Sequence, residues 1–317
     1  MQPAQKLKQL LEQNIARVVV GKGAAVELIL NALLCGGHVL IEDVPGVGKT
    51  TLASAFARSL QLSFKRIQFT PDVTPSDVTG YTRMDFKTGE MSFHEGAVFA
   101  QIVLADEINR TSPKTQSSLM EVMQEQQVTI DGQTHPLPDP FIVLATQNPV
   151  DFVGTYPLPE AQLDRFFMRV AIGYPSEEEE VRVLDMYMKR NRLIDELEPV
   201  CTQGDIIKLR GMVGDIRVSR EMRVYIAQIA QASRQSKLFD RGISTRGALA
   251  LMRSAQAAAL LDGRDYVMPE DVRRLAQPVL SHRIVLSPEA RVGAKGLTAE
   301  KALARLITSV QVPVRVK

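Results

Sequence analysis

A short segment of the chain, from Asp43 to Thr50, has residue types and spacing that could bind a triphosphate. Glycines at such spacing let backbone N–H groups approach phosphate oxygens, and a helix that starts directly behind them adds a partial positive charge. Lys49 would reach the β- and γ-phosphates, and the Thr50 hydroxyl would bind an accompanying Mg²⁺ ion. The segment therefore predicts a phosphate-binding loop for ATP and Mg²⁺, whose nucleotide contacts are Pro45, Gly46, Val47, Gly48, Lys49, Thr50 and Thr51.

Asp43 departs from the usual pattern of such a loop, because it stands where the first glycine is expected. Aspartate tolerates left-handed backbone angles better than most residues, so the turn can form. A carboxylate near phosphates is unfavourable unless it points away, and the sequence leaves its direction open. The alternative for the whole segment is a chance Gly-Lys-Thr at the start of a helix. The apolar run before the segment and the motifs after it favour the phosphate loop.

Two acidic residues, Asp106 and Glu107, directly follow the apolar run 102–105. A buried strand that ends in two acids places them at the carboxyl edge of a sheet, where open α/β folds bind ligands. Asp106 would hold Mg²⁺ through a bound water, and Glu107 would polarise the attacking water as general base. The alternative is an ordinary boundary between a strand and a loop. The position of the pair after a phosphate loop favours the catalytic interpretation.

A second apolar run, 141–146, also ends in polar residues, Gln147 and Asn148. Asn148 could hydrogen-bond both the γ-phosphate and the attacking water, because its strand would lie beside the acidic one. The alternative is that Asn148 and the proline after it form only a turn. The sequence thus predicts a third catalytic group at the same sheet edge.

The elements that must position these residues alternate along the first half of the chain. Five runs are apolar rather than alternating, as is typical of buried parallel strands. A helical pattern carrying Leu52, Phe56 and Leu60 lies between the first two runs, and Ser112-Pro113 is typical of a helix start. This order predicts an α/β sandwich with a parallel sheet. The runs are 38–41, 64–69, 102–105, 141–146 and 167–172.

The pattern changes after residue 175, where four consecutive glutamates open a predicted helix. Beyond it we find no convincing strand before the C-terminal tail. Helical spacing recurs, for example at Leu249, Met252 and Ala255. We therefore predict a nucleotide-binding core over 1–180 and a smaller, all-helical domain over 181–317.

Composition excludes several classes of protein. The 317 residues are 45% apolar and carry a formal charge of +2, which gives no support to a strongly basic nucleic-acid surface. Two cysteines cannot form a disulfide framework, and no Cys/His cluster has zinc spacing. The first residues lack the continuous apolar core of a signal peptide, and the longest apolar stretch, 26–41, is broken by polar residues and glycines. We expect a cytoplasmic protein with no membrane span.

Four stretches, taken in order, resemble the AAA+ superfamily, and most closely its MoxR group. The similarity extends from about residue 8 to 310, and an aspartate at position 43 is also usual in this group. The resemblance implies a core in which helices cover both faces of the sheet, followed by a helical lid. The stretches are 41–50, 105–110, 158–166 and 261–267.

The resemblance also implies roles for residues whose function the motifs alone do not suggest. Arg165 matches the arginine finger that reaches the γ-phosphate of a neighbouring subunit; the alternative is an ion pair with Asp164 or Glu160. Arg246 matches the sensor-2 arginine, which would contact phosphate from the same subunit, although Ser-Thr precedes it where a proline is common. Val20 and Gly21 lie where the family contacts adenine.

Two insertions identify the branch of the superfamily. The segment 127–135 contains Asp-Gly between β-forming residues, which predicts a hairpin and matches the pre-sensor hairpin. The segment 70–96 matches an insertion within the second helix. In related proteins such loops face a central pore or a partner. His94 and His135 lie in these segments without ligand-like neighbours, and we interpret both as ordinary loop histidines.

The resulting hypothesis is a cytoplasmic homo-oligomeric ATPase, taken as a hexameric ring, that hydrolyses ATP to remodel or mature a client protein or complex. By resemblance alone, a protein with a von Willebrand factor A domain is the expected partner.

Other functions stay open as alternatives. One is the ATPase subunit of a metal chelatase. Another is a nucleic-acid motor, against which the balanced charge and the lack of an aromatic-basic cluster argue. A third is a nucleotide-gated switch with little turnover, against which the intact Glu107, Asn148 and Arg165 argue. A transcription activator is disfavoured, because segment 70–96 lacks the Gly-Ala-Phe-Thr-Gly-Ala loop of that class.

Overall fold

The strands of the computed structural model lie mostly in the first 170 residues. The structure describes residues 3–44, 46–148, 154–188, 194–293 and 296–313. In chain order its strands are β1 (Val39–Glu42), β2 (Phe64–Gln68), β3 (Gly80–Met84), β4 (Met91–Glu95), β5 (Ile102–Asp106), β6 (Gln127–Ile130), β7 (Gln133–Pro136), β8 (Ile142–Gln147), β9 (Met168–Val170), β10 (Phe239–Arg241) and β11 (Val285–Leu286).

Helices flank these strands and make up most of the chain after residue 176. Single 3₁₀ turns also occur, one of them at Ile108–Arg110 behind β5. The α-helices are α1 (Pro3–Ala16), α2 (Gly23–Leu34), α3 (Lys49–Ser59), α4 (Pro75–Thr79), α5 (Pro113–Glu125), α6 (Glu160–Leu163), α7 (Glu177–Met188), α8 (Gln203–Met212), α9 (Arg220–Gln235), α10 (Thr245–Leu261), α11 (Pro269–Leu280), α12 (Pro288–Gly293) and α13 (Ala299–Ser309).

Five strands form one parallel sheet in the order β2-β5-β8-β1-β9. The predicted parallel sheet is therefore confirmed. The three central strands consist of buried apolar residues up to their polar ends, as expected for strands covered on both faces. The expectation of a continuous apolar run was wrong for β2. It is an edge strand, and Lys65, Arg66 and Gln68 keep partial access to solvent there.

The register of the sheet gathers the polar strand ends at one edge. Glu42 at the end of β1 pairs with Gln147 at the end of β8, and Gln68 at the end of β2 pairs with Asp106 at the end of β5. Parallel strands all point the same way, so the segments that follow them leave from the same edge. The phosphate loop, the acidic pair and Asn148 are thus brought together although about 100 residues separate them in the sequence.

Helices cover both faces of the sheet, which gives the predicted three-layer sandwich. Alternate residues of a strand point to opposite faces, so Leu104 and Leu144 belong to one apolar core and Val103 and Val143 to the other. The second core is closed by α5. The first core includes α1, α2 and α3 and continues into the helices of the second half.

The helical half packs directly against the N-terminal helices. Lys8 on α1 forms ion pairs with Glu27 on α2 and with Asp262 at the end of α10, at 3.0 and 3.1 Å. The prediction that this half contains no strand was wrong in one detail, since β10 and β11 form a short antiparallel pair. Strands of two or three residues leave no periodicity that a sequence pattern could reveal.

Both predicted insertions contain hairpins, one formed by β3 and β4 and one by β6 and β7. The second turns at Asp131-Gly132, where both residues have positive φ, as an Asp-Gly turn requires. The ring of Phe93 stacks on that of His135 with centroids 3.8 Å apart, which joins the two hairpins. No helix in the described part of the chain is long and apolar enough to cross a bilayer.

Candidate active site

The phosphate loop connects β1 to α3, as its sequence predicts. Gly46 and Gly48 both have a φ of +84°, which L side chains adopt only with strain, so the glycines are needed for the backbone path. No atom lies within 4 Å of the position that a Cβ would take at either glycine. The loop therefore leaves an open cradle in front of the N-terminus of α3. Pro45 lies outside the described residues.

Lys49, the first residue of α3, is the cation of this cradle. Its ammonium donates a hydrogen bond to the backbone carbonyl of Asp43 at 2.8 Å. Partial burial lowers the pKa of Lys49, while the nearby carboxylates of Asp43, Asp106 and Glu107 act in the opposite direction. A partly desolvated ammonium at a helix N-terminus attracts an anion strongly, because little water competes for it.

Asp106 is held on both of its carboxylate oxygens. The Thr146 hydroxyl on β8 donates to Oδ1 at 2.6 Å, and the guanidinium of Arg66 on β2 binds Oδ2 at 2.6 Å. Thr146 also accepts the backbone N–H of Glu107 at 2.8 Å. The neighbouring strands thus fix both members of the acidic pair.

Glu107 has a left-handed backbone, with φ 58° and ψ 48°. A non-glycine residue adopts this conformation at some cost, and such strain is concentrated at functional sites. The Gln68 amide donates to Glu107 Oε2 at 3.0 Å, and the Arg110 guanidinium lies 3.2 Å from the same oxygen. The Glu107 carboxylate is therefore anchored from two sides at the mouth of the cleft.

These residues line one cleft of about 360 Å³. It contains all the residues that the motifs predicted for phosphate, metal and catalysis except two: Val47 is buried, and Pro45 lies outside the described residues. The residues assigned by resemblance alone do not line it. Sequence reasoning missed Arg66, Gln68 and Thr146, although polar residues at alternate positions of β2 were a usable signal. The lining residues are Gly46, Gly48, Lys49, Thr50, Thr51, Arg66, Asp106, Glu107 and Asn148.

The cleft fits a triphosphate with Mg²⁺. The open cradle and Lys49 match phosphate oxygens, and Thr50 and Asp106 offer a hydroxyl and a carboxylate in the same cavity. No cluster of three or more His, Cys, Asp or Glu suited to a metal occurs among the described residues. Mg²⁺ at nucleotide sites needs no such cluster, because one or two carboxylates suffice beside substrate phosphates and water.

The carboxylate of Asp43 points away from the cleft. Its Oδ2 accepts the backbone N–H groups of Ile172 and Gly173, which follow β9, at 2.6 and 2.5 Å. Its backbone φ is not positive, so the left-handed turn expected at this position does not form. The Asp43 carboxylate is therefore bound by backbone N–H groups instead of being directed at the phosphate cradle.

Val20 and Gly21 lie beside the segment that Asp43 contacts rather than in the phosphate cleft. Val20 is buried, and Gly21 has a φ of +75° with the Glu179 side chain against it. The next residue, Lys22, donates to the Gly173 carbonyl at 3.0 Å. The adenine contact assigned to Val20 and Gly21 stays a prediction.

A second cleft of about 660 Å³ contains several arginines. The Asp164 carboxylate, one of its lining groups, lies 2.6 Å from the buried Arg283 and 3.9 Å from Arg246. Glu160 pairs with Arg241 at 2.8 Å. We call this cavity the arginine cleft; it is lined by Glu160, Ala161, Asp164, Arg234, Arg241, Gly242, Ile243, Ser244, Thr245, Arg246 and Arg283.

Arg165 adjoins this cleft and has no ion pair within the described part of the chain. The alternative interpretation paired it with Asp164 or Glu160, but both acids bind other arginines. Arg246 was expected to contact phosphate from its own chain. Arg246 lies at the start of α10, beside Asp164, in a cleft that shares no lining residue with the phosphate cleft, and its phosphate contact stays a prediction.

Comparison with known families gives two matches. Residues 38–168 match the family described as "ATPase family associated with various cellular activities (AAA)", and residues 231–304 match the "AAA lid domain". The first match spans the phosphate loop, the acidic pair and Asn148, and the second spans α10 and α11.

Whole proteins are similar over most of the chain. The uncharacterized protein YeaC of Bacillus subtilis is 51% identical over 96% of this chain and 94% of its own. The Chaperone MoxR1 of Mycobacterium tuberculosis is 39% identical over 95% of this chain and 81% of its own. A Cytophaga hutchinsonii protein, assigned as an ATPase when its crystal structure was solved, superposes with a TM-score of 0.90 at 36% identity, covering 98% of this chain and 96% of its own.

Magnesium-chelatase subunits are more distant. The subunit ChlI-1 of Arabidopsis thaliana is 27% identical over 63% of this chain and 47% of its own.

Proposed function

Since the chain belongs to the MoxR-type AAA+ ATPases and hydrolyses ATP, we propose that it uses hydrolysis to remodel or mature a client protein. The observation that carries the catalytic part is the convergence of Lys49, Thr50, Asp106, Glu107 and Asn148 on one cleft. The name of the Mycobacterium tuberculosis relative supports the chaperone part. The division into a core over 1–180 and a helical domain over 181–317 belongs to the same proposal.

Each residue of the phosphate cleft has a distinct role in this proposal. Backbone N–H groups at the start of α3 and the Lys49 ammonium bind the phosphates. Thr50 and Asp106 would hold Mg²⁺, which would supply positive charge to the bound phosphates. Glu107 takes a proton from the attacking water, and Asn148 orients that water against the γ-phosphate.

The arginine cleft supplies the groups that the phosphate cleft lacks. Arg165 has no ion pair in the described chain and would stabilise the charge of the transferring phosphate from a neighbouring subunit. Arg246 lines this cleft near Asp164, the residue before Arg165, so we propose that it acts on the neighbour's nucleotide as well, rather than on that of its own chain. Active sites of this kind form only between subunits, which supports a closed homo-oligomer; a hexamer is our choice of ring size.

Client binding is assigned to the hairpin formed by β3 and β4. Its tip exposes large apolar side chains; Phe86 is 87% and Met91 is 63% exposed. Exposed apolar groups of this size on an extended hairpin are typical of a surface that binds another protein. A cytoplasmic location and a partner with a von Willebrand factor A domain are further parts of the proposal that rest on family resemblance.

The alternatives are less well supported. The chelatase relatives are distant and match less of the chain. A nucleic-acid motor would need a basic binding surface, and the net charge of +2 gives no support to one.

A stimulation assay tests the proposed function. An unfolded model protein such as casein should raise the ATPase rate of the wild type. Replacing Phe86 and Met91 by serine should keep the basal rate and abolish the stimulation, because the apolar tip is lost. Replacing Lys114 and Glu121, exposed on α5, by serine provides the control and should leave both rates unchanged. Stimulation by DNA and not by protein would contradict client remodelling and favour the motor.

A further inference from the structure

The side chain of Asp43 connects the phosphate loop to the segment between β9 and α7, two parts that the catalytic proposal leaves unconnected. It follows β1, it is 9% exposed, and it forms no ion pair in the described part of the chain. Three backbone N–H groups hold its carboxylate instead, those of Val44, Ile172 and Gly173. A buried carboxylate satisfied by backbone donors is rigidly placed, since such bonds to a charged group are strong and directional.

Both the backbone N–H and the backbone carbonyl of Gly173 form hydrogen bonds to side chains. Its N–H binds Asp43, and its carbonyl accepts from the Lys22 ammonium at 3.0 Å. Its φ is +70° with open space where a Cβ would lie, so the glycine serves the backbone conformation and not a close contact. The chain leaves the sheet here and enters α7, the first helix of the second half. A backbone rotation at Gly173 would therefore reorient α7 relative to the sheet.

Asp43 also contacts the residue that binds phosphate. Its backbone carbonyl accepts the Lys49 ammonium at 2.8 Å, while its side chain holds Ile172 and Gly173. A triphosphate in the cradle would attract the ammonium away from this carbonyl, because phosphate carries more charge. The same residue would then lose one of its contacts at the moment of binding.

We propose that Asp43 is a positioning residue that couples the phosphate loop to the backbone at Ile172 and Gly173. Binding of the nucleotide changes the contacts of Asp43 on one side, and the link to the helical half responds on the other. A glycine at this position would provide no side chain and no such link. The backbone of Asp43 does not need glycine, because its φ is not positive. This role goes beyond client remodelling and requires no client.

The test compares three variants of the full chain. Asp43→Ala removes the carboxylate, and Asp43→Asn keeps one acceptor oxygen for Ile172 and Gly173 without the charge. Glu42→Gln is the matched control. Glu42 is the preceding residue, and its ion pair with Arg169 at 2.9 Å also joins β1 to β9, but outside the phosphate loop.

Three measurements are needed for each variant. Hydrogen exchange of peptides covering 170–176 is followed with and without Mg²⁺ and the non-hydrolysable analogue AMP-PNP. Calorimetry gives the affinity for AMP-PNP, and steady-state kinetics give kcat. Thermal unfolding shows whether each variant is folded.

In the wild type, AMP-PNP should change exchange at 170–176. In Asp43→Ala exchange there should be about 10-fold faster or more, and AMP-PNP should no longer change it. Its affinity should stay within about 5-fold of the wild type while kcat falls by about 10-fold or more, since the cradle survives and the coupling does not. Asp43→Asn should be intermediate, and Glu42→Gln should behave like the wild type.

Several outcomes would overturn the coupling. One is that AMP-PNP leaves hydrogen exchange at 170–176 unchanged in the wild type. Another is an Asp43→Ala variant with unchanged kcat and response. Equal losses in Asp43→Ala and Glu42→Gln would mean that both residues merely pack β1 against β9. These readouts are independent of any client, so failure of client stimulation leaves them interpretable.

Discussion

The phosphate cleft and the arginine cleft differ in whether a single chain supplies binding partners for all of their charged groups. In the phosphate cleft, donors, a cation and carboxylates converge, and the acidic residues are fixed by neighbours on β2 and β8. In the arginine cleft, positive groups outnumber their acidic partners, and Arg165, which adjoins it, has no ion pair in the described chain. The difference supports the proposal that the first cleft holds the substrate and that the second presents charge to a neighbouring subunit.

The largest expected effect is the loss of nucleotide binding in Lys49→Ala. Lys49 is the cation of the cradle, and the other cation that lines the cleft, Arg66, is already paired with Asp106. Calorimetry with ATP and Mg²⁺ should show no measurable binding, whereas Lys114→Ala, at an exposed lysine on α5, should bind normally. Unchanged affinity for ATP in Lys49→Ala would contradict the assignment of this cleft as the nucleotide-binding site.

Arg165→Ala should distinguish the roles of the two clefts, ATP binding and turnover, most clearly. It should bind ATP nearly normally and lose about 10³- to 10⁵-fold in turnover, because arginine fingers contribute that much to phosphoryl transfer. Arg241→Ala, in the adjoining arginine cleft, is the control, since Arg241 already pairs with Glu160.

A mixing experiment sharpens this prediction. Lys49→Ala and Arg165→Ala are each expected to be inactive, yet a mixed ring contains interfaces at which an intact Lys49 meets an intact Arg165. Such mixtures should recover some ATPase activity. If mixed rings form and no activity returns, Arg165 does not act between subunits.

Glu107→Gln should have the next largest effect and act within the phosphate cleft alone. The amide keeps the shape of the side chain and loses the base, so turnover should fall by about 10²- to 10⁴-fold while ATP still binds. Single-turnover kinetics measure this loss, and Glu121→Gln on α5 provides an exposed control. Turnover within a few-fold of the wild type would exclude Glu107 as the base.

The smallest expected effect concerns the contribution of His282, the residue before Arg283, to the free energy of unfolding. His282 is buried and donates to the Phe166 carbonyl at 3.0 Å, and burial lowers its pKa to about 3. The unfolded chain protonates this histidine below its ordinary pKa of 6.5 and the folded chain does not, so its contribution is present above pH 6.5 and lost as the pH falls.

Denaturant titrations at two pH values measure this contribution. Between pH 7 and pH 5 the wild type should lose about 2 kcal/mol more unfolding free energy than His282→Asn, whose amide can donate to the same carbonyl. Equal pH dependence in the two proteins would show that His282 is not kept neutral by its surroundings.

Much of this molecule could be predicted from local patterns. The five sheet strands, the phosphate loop, the Asp-Gly hairpin and the helix that begins at Ser112-Pro113 all appear where the sequence indicated. Each of these depends on neighbouring residues or on a short repeat, so it leaves a signal in the sequence. Helical spacing also identified α10, but only part of the face that it indicated is buried. Leu249 is 56% exposed, and the buried face contains Leu251 and Ala255.

The sequence by itself determined which residues have the chemistry for ATP hydrolysis and that parallel strands bring them to one sheet edge. Only the tertiary structure decided three further points. The Asp43 carboxylate points to Gly173, Arg66 and Gln68 reach the acidic pair from β2, and Arg246 lies with Asp164. Each of these contacts joins residues between 39 and 130 positions apart. Such contacts depend on strand order and helix packing, which no local spacing encodes.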